Sequence, residues 1–204
     1  MNNRVLNSSF TIVSYSAVVV GLGLVTFGAF KQYQASGSLA QLGQVMVNAL
    51  FVIMYVTKRD AVSVSKAPAA WIFAFVGTCL PMALRSTATH EWSDVGVTIQ
   101  IIGIVSILGS ILSLRRSFGI VPANRGVRTE GMYHLVRHPL YSSEMLWMAG
   151  FLIANPSLWN FSLWICDCAL QFLRANAEEQ LLSADTQYVN YKSRVRYRFV
   201  PLVV

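Results

Sequence analysis

The chain has 204 residues, of which 54% are hydrophobic and only 12% charged, with a mean hydropathy of +0.50. A soluble domain carries charge on about a quarter of its residues, so this composition excludes one and points to an integral membrane protein built of helices. The net charge of +7 would suit a nucleic-acid binder, but the placement of the charges decides otherwise.

The first apolar run covers about residues 10–30, long enough to cross a bilayer, and it exceeds a signal-peptide core and lacks a small-residue cleavage site. It is expected to be a retained helix. A polar connection containing Gly37 leads to a second run, about 39–56, and then to a loop carrying Lys58, Arg59 and Lys66. The third run spans about 68–84, and the loop after it, 85–94, is balanced in charge. The fourth, 95–114, ends at Arg115-Arg116 and opens the longest polar stretch, 117–136. A fifth run, 139–154, meets a sixth, about 158–173, across Asn155-Pro156-Ser157, a tight turn that predicts an antiparallel helical hairpin. Residues 174–204 form a polar helix pattern and a basic tail. The expected architecture is all-α, with about six transmembrane helices in a single membrane domain and a cytoplasmic C-terminal helical segment.

Six spans place the loops on alternate sides, which allows a count of positive charge. The N-terminus, the loops after spans two and four and the tail together hold fourteen Lys and Arg, whereas the opposite side holds Lys31 and Arg85. Both termini are therefore expected in the cytoplasm. The basic balance is a topology signal with attraction to anionic lipid head groups, and nucleic acid drops out as a partner. Cys79, Cys166 and Cys168 all lie in apolar runs, and Cys166-Asp167-Cys168 has the spacing of neither a zinc site nor a redox pair. They read as small buried hydrophobes, with no disulfide and no metal.

Chemistry concentrates in a few stretches. Pro139 suits the first turn of a helix, because it lacks an amide proton and its φ is already helical. The N–H groups of that turn, with Arg137 and His138 beside them, can bind an anionic group; the same residues also serve elsewhere as interfacial anchors. After the sixth run, Arg174 and Glu178 stand at i,i+4, where a salt bridge is the ordinary explanation, and Glu179, about 100° away, is left the freer carboxylate. Tyr188, Tyr191 and Arg194 recur at i, i+3 and i+6, as though on one face of an amphipathic helix. Two carboxylates, Glu144 and Asp167, fall inside the runs, where an ionisable group is costly and suggests function.

Gly-x-Tyr-x-x-x-Arg-His-Pro-x-Tyr (131–141), then Arg-Ala-x-x-Glu-Glu (174–179), then Tyr-x-x-Tyr-x-x-Arg-Val-Arg (188–196), and a terminal Pro201 resemble the isoprenylcysteine carboxyl methyltransferase family and the related phospholipid methyltransferases. The resemblance covers about residues 117–201. It implies an S-adenosyl-L-methionine-dependent membrane methyltransferase whose catalytic half, 117–204, follows four spans in 1–116. It implies contacts to the cofactor from Gly131, Tyr133, Val136, His138, Pro139, Tyr141, Glu144, Tyr188, Tyr191, Arg194 and Arg196. Arg137, Glu178 and Glu179 are the expected catalytic residues. The acceptor would be a membrane lipid or a lipidated or apolar small molecule: a prenylated cysteine, a phospholipid amine, a thiol or another. Two departures stand out: Ser143 replaces a usual glycine, and Ala184-Asp185 replaces a Phe-Gly. A small transporter and a noncatalytic scaffold are the competing classes; the runs show no inverted repeat, which argues against the transporter.

Overall fold

Two of the helices open on proline. Pro68 and Pro139 each occupy a first-turn position, after Ala67 and His138 in non-helical backbone, as the missing N–H and fixed φ of proline favour. Two others open on a side-chain cap: Ser157 accepts from Asn160 N–H at 3.1 Å and Asp185 from Gln187 N–H at 2.9 Å. Such caps satisfy amides that the first turn leaves unpaired.

The structure, a computed structural model of the full chain, describes residues 19–31, 33–34, 37, 39–87 and 93–201. The start of the first apolar run, Arg4, and residues 88–92 of the third loop lie outside the described residues. The chain divides into two compact units, Met1–Thr57 and Lys58–Val204. The first contains α1 (Val19–Lys31) and α2 (Leu39–Thr57).

The second unit begins with a two-residue strand, β1 (Ser63–Val64), which pairs antiparallel with β2 (Ala123–Asn124). Backbone bonds Arg59 N–H to Arg116 C=O, Val62 N–H to Asn124 C=O and Ser65 N–H to Pro122 C=O continue this ribbon, so the loops at 58–67 and 117–136 lie together. Next come α3 (Pro68–Cys79), tightened by a 3₁₀ turn over Leu80–Ala83, and α4 (Ser93–Leu114), followed by a 3₁₀ turn over Arg115–Ser117. A third 3₁₀ turn, Gly131–His134, precedes the hairpin of α5 (Pro139–Ala154) and α6 (Leu158–Leu182), and α7 (Thr186–Arg194) closes the helical part.

Small residues let α4 and α5 touch at the backbone. A Cβ added to Gly96 would lie 2.4 Å from Ala154 N, one on Gly103 2.8 Å from Trp147 Cα, and one on Gly150 2.6 Å from Gln100 N. Such close approach replaces side-chain burial as the means of holding helices together where the surroundings are themselves apolar. At the far end of α5, Asn160 donates to Arg85 C=O and Asn155 C=O at 2.8 Å each, while Arg85 stacks over Trp159. The α5–α6 turn and the loop after α3 are thereby tied together, opposite the basic ribbon.

The boundaries and surroundings expected from the sequence differ in three places. α6 runs nine residues past the end of the sixth apolar run, because polarity changes at Arg174 but no helix breaker intervenes before Ser183. Only Ser93–Ser117 is long and apolar enough by itself to cross a bilayer among the described residues; α5, with 16 residues, extends about 24 Å at 1.5 Å per residue. The cysteines are free thiols but not the buried hydrophobes expected: Cys79 and Cys166 are exposed and Cys168 is half-buried. Exposed apolar side chains also occur at Ile72 on α3, Ile101 and Val105 on α4, and Leu158, Phe161 and Ile165 on α6.

Candidate functional site

The site begins with the C-terminal tail. Arg137 and His138 donate their backbone N–H groups to the carbonyls of Tyr197 and Arg198, both at 2.9 Å. Ser142 Oγ donates to Phe199 C=O at 2.6 Å, and the Arg137 guanidinium reaches the carbonyls of Val195 (3.0 Å) and Arg196. Residues 195–199 are thus laced across the entrance to α5.

Glu179 anchors that lacing from α6. Its two oxygens accept from Arg137 Nε at 2.9 Å, Arg198 Nε at 3.1 Å and Nη2 at 3.0 Å, and pair with Lys192 Nζ at 2.9 Å; His138 Nε2 lies 3.2 Å away. Burial alone would raise this carboxyl, but the hydrogen bonds from His138, Arg198, Lys192 and Arg137 outweigh it and hold Glu179 well below the usual carboxylate range. Glu179 is therefore ionised and fully engaged, contrary to the expectation that it would be the freer of the pair.

Glu178, one residue earlier and about 100° round the helix, faces elsewhere. Its side chain is 31% exposed against 4% for Glu179. Its Oε2 accepts from the Tyr141 hydroxyl at 3.0 Å and lies 3.8 Å from His138 Nδ1. The expected Arg174–Glu178 pair is not the arrangement found: Arg174 extends back along α6, donating to Gln171 Oε1 at 3.0 Å and lying 3.7 Å from Glu144 Oε2, with its guanidinium over the Tyr141 ring. Tyr141 in turn stacks on His138, centroids 5.4 Å apart and planes 4° from parallel.

Beside Glu178 opens a cleft of about 450 Å³, partly solvent, lined among others by Arg128, Tyr133, Arg137, His138, Glu178 and Tyr188. Tyr133, Tyr188 and Tyr191 form one buried aromatic cluster with Val195. The Tyr191 hydroxyl donates to Tyr133 C=O at 2.8 Å, while the buried Tyr188 hydroxyl has no partner. Burial, and then the neighbouring Glu178 charge, pushes the Tyr133 phenol up; burial likewise raises Tyr188 and Tyr191. All three remain neutral near pH 7 and offer hydroxyls and ring faces rather than a base.

Of the residues expected at a cofactor site, Tyr133, His138, Tyr188 and Tyr191 line the cleft, as do Arg137 and Glu178 from the catalytic set. Gly131 (φ +61°) packs where a Cβ would sit 2.3 Å from Ser113 Oγ, which shapes the loop under Tyr133. Val136 contributes its carbonyl to Tyr191 at 3.4 Å, and Pro139 is buried in the first turn of α5. Tyr141 and Glu144 stand behind the cleft. Arg194 is exposed and bonds only its own helix, at Asn190 C=O, because i+6 on a helix lies about 120° from position i. Arg196 is exposed, and its carbonyl rather than its guanidinium meets Arg137.

Sequence reasoning missed Arg128 in the cleft and Arg198, Lys192 and Asn176 around Glu179; Arg198 Nη1 donates to Asn176 Oδ1 at 2.9 Å. The two departures from the family pattern are absorbed locally. Ser143 is buried and donates to Pro139 C=O at 2.7 Å, and Asp185 caps α7 while accepting from Asn124 Nδ2 at 2.8 Å. No group of His, Cys, Asp and Glu that could hold a metal occurs among the described residues.

A helical hairpin and a laced tail thus meet around one cleft in a predominantly helical fold. A eukaryotic intramembrane Ras methyltransferase, ICMT (isoprenylcysteine carboxyl methyltransferase), superposes with a TM-score of 0.55 at 19% identity, over 99% of this chain and 88% of that one. Residues 39–195 match DUF1295, described as a protein family of unknown function, and the chain belongs to that family. No curated protein sequence matches it.

Proposed function

We propose that the protein is a methyltransferase that uses S-adenosyl-L-methionine to methylate a lipidic or membrane-dissolved acceptor at the basic end of the helices. The observation that carries this reading is convergence: residues from 131–141, 174–179 and 188–191, far apart in the chain, line a single cleft. The lacing of loops 58–67 and 117–136 at that same end supports a multi-pass chain with its basic side, and hence the cleft, facing the cytoplasm.

The cleft suits that cofactor on chemical grounds. Glu178 offers a half-exposed carboxylate to an amine or a sulfonium, Arg128 a guanidinium to a carboxylate, the tyrosine cluster ring faces to a purine, and Tyr188 a buried hydroxyl without a partner. When bound, the cofactor supplies a methyl carbon activated by its attachment to a cationic sulfur. The protein's part is to align and to exclude water. Tyr141 fixes the Glu178 carboxylate through its 3.0 Å hydrogen bond, and the tail, held by Glu179, covers His138. The outward apolar surface of α6 gives a membrane-dissolved acceptor a route to the same end of the hairpin.

The test is transfer of labelled methyl from S-adenosyl-L-methionine to the lipid extract of membranes supplied with the purified protein. Label should appear in an organic-soluble product and be lost in Glu178→Gln. Absence of any labelled product, with a folded protein and a range of membrane extracts, would contradict the reading.

A further inference from the structure

A second polar group of side chains lies deeper in the hairpin than the cleft. Asp167, Gln171 and Arg174 follow one another at i, i+4 and i+7 on α6, and Glu144 meets them from α5. Gln171 Nε2 donates to Glu144 Oε2 at 2.7 Å and to Asp167 Oδ1 at 3.2 Å. Asp167 and Gln171 are each 1% exposed and Arg174 5%. Three polar atoms of this hairpin are buried without a partner: Asp167 Oδ2, Arg174 Nε and Trp147 Nε1. Because Glu144 meets Gln171 in antiparallel helices, Trp147 stands at about the level of Asp167.

An unpaired polar atom in an apolar, water-poor surrounding is costly. Asp167 is buried and held through its other oxygen by Gln171, so its free oxygen is an acceptor inside the hairpin rather than a surface carboxylate. We infer that this hairpin cluster binds a hydroxyl or amine group of an apolar molecule, and discriminates against a carboxylate. The free Asp167 oxygen calls for a donor, and the free Arg174 and Trp147 N–H groups call for an acceptor. A hydroxyl or a neutral amine is both. A carboxylate only accepts, and would leave the free Asp167 oxygen without a donor. The apolar body follows from the position of Asp167 and Gln171 within the apolar run 158–173 of α6.

Asp167 precedes Glu178 by three turns of α6, about 16 Å at 1.5 Å per residue. The group bound here is therefore not the one that reacts at the cleft. It belongs to a distal part of the acceptor, in which case the assignment rests on the methyltransferase reading, or to a resident lipid, in which case it does not.

Full-length protein in a neutral detergent would be titrated with hexadecanol, hexadecylamine, palmitic acid and hexadecane, following tryptophan fluorescence and Tm. The alcohol and the amine should bind at least tenfold more tightly than the acid or the alkane, and Asp167→Asn should erase that preference. Equal binding of alcohol, acid and alkane by the unmodified protein would overturn the inference without recourse to any variant, as would a preference unchanged in a folded Asp167→Asn. Hexadecanol that competes with labelled methyl transfer assigns the site to the acceptor; hexadecanol that binds without competing assigns it to a resident lipid. Selective binding with no methyl transfer to any acceptor leaves this site standing and sinks the methyltransferase reading alone.

Discussion

Glu179 and Glu178 sit side by side on α6, yet one belongs to a closed network and the other to an open one. Around Glu179 the network is saturated: three cations and His138 converge on two oxygens, and the tail carbonyls are taken up by Arg137. On the Glu178 side the polar groups are incompletely used, with a half-exposed carboxylate, an unpartnered Tyr188 hydroxyl in the cleft wall and, deeper in the hairpin, the free atoms of Asp167 and Arg174. Saturation marks side chains that hold the chain in place, because removing any one strands buried charge. Unused hydrogen-bonding capacity at depth marks places where a further bond can form.

The sharpest way to break this contrast is Glu179→Gln. Loss of the carboxylate leaves Arg137 and Arg198 without their counter-charge and should cost on the order of 3–5 kcal/mol, read as a fall in Tm and as faster proteolysis of the tail. If the tail stays protected and Tm is unchanged, Glu179 is not the anchor.

Acid should reproduce the same loss. Glu179 ionises well below its ordinary value of 4.5, so its contribution is whole above about pH 4.5 and drains away as pH falls from there toward the depressed value of the folded state. Tm measured from about pH 7 to about pH 3 should bend downward below that point in the natural protein and less so in Glu179→Gln.

Glu178→Gln should behave in the opposite sense. Methyl transfer should fall tenfold or more, equivalent to at least about 1.4 kcal/mol of transition-state stabilisation, while Tm shifts little. Tyr188→Phe sharpens the contrast further: a hydroxyl without a protein partner costs nothing to remove from the free protein, so cofactor affinity should drop by about 0.5–1.5 kcal/mol with Tm unchanged or raised. The smallest effect is expected for Lys192→Ala. Its side chain is 45% exposed, and such a pair contributes under about 1 kcal/mol.

How much of this the sequence discloses depends on whether a feature is local. The bounds of α5 are legible to the residue because Pro139 and Asn155-Pro156 mark them by backbone chemistry alone. The basic character of the loops at 58–67 and 117–136 is legible, whereas their pairing into one ribbon is not. Which of Glu178 and Glu179 is the freer is not, since the answer is set by Arg137, Lys192 and Arg198, whose approach depends on how the tail returns across α5. Reasoning from the i,i+4 spacing to Arg174 gives the reverse, because Glu144 and Gln171 claim that guanidinium first. Arg194 departs from expectation for a simpler reason of helical angle, and Arg128 carries no signal among the other loop cations. The glycine contacts of α4 with α5 are equally hidden, because Gly96, Gly103 and Gly150 acquire meaning only when the two helices cross.

The central claim, that the cleft beside Glu178 holds S-adenosyl-L-methionine while Glu179 only holds the tail, is tested most directly by calorimetric titration of the cofactor into the detergent-solubilised natural protein and Glu178→Gln. The account predicts saturable binding by the natural protein and at least tenfold weaker binding by Glu178→Gln at unchanged Tm. No saturable binding by the natural protein, or equal affinity in the two, would contradict it.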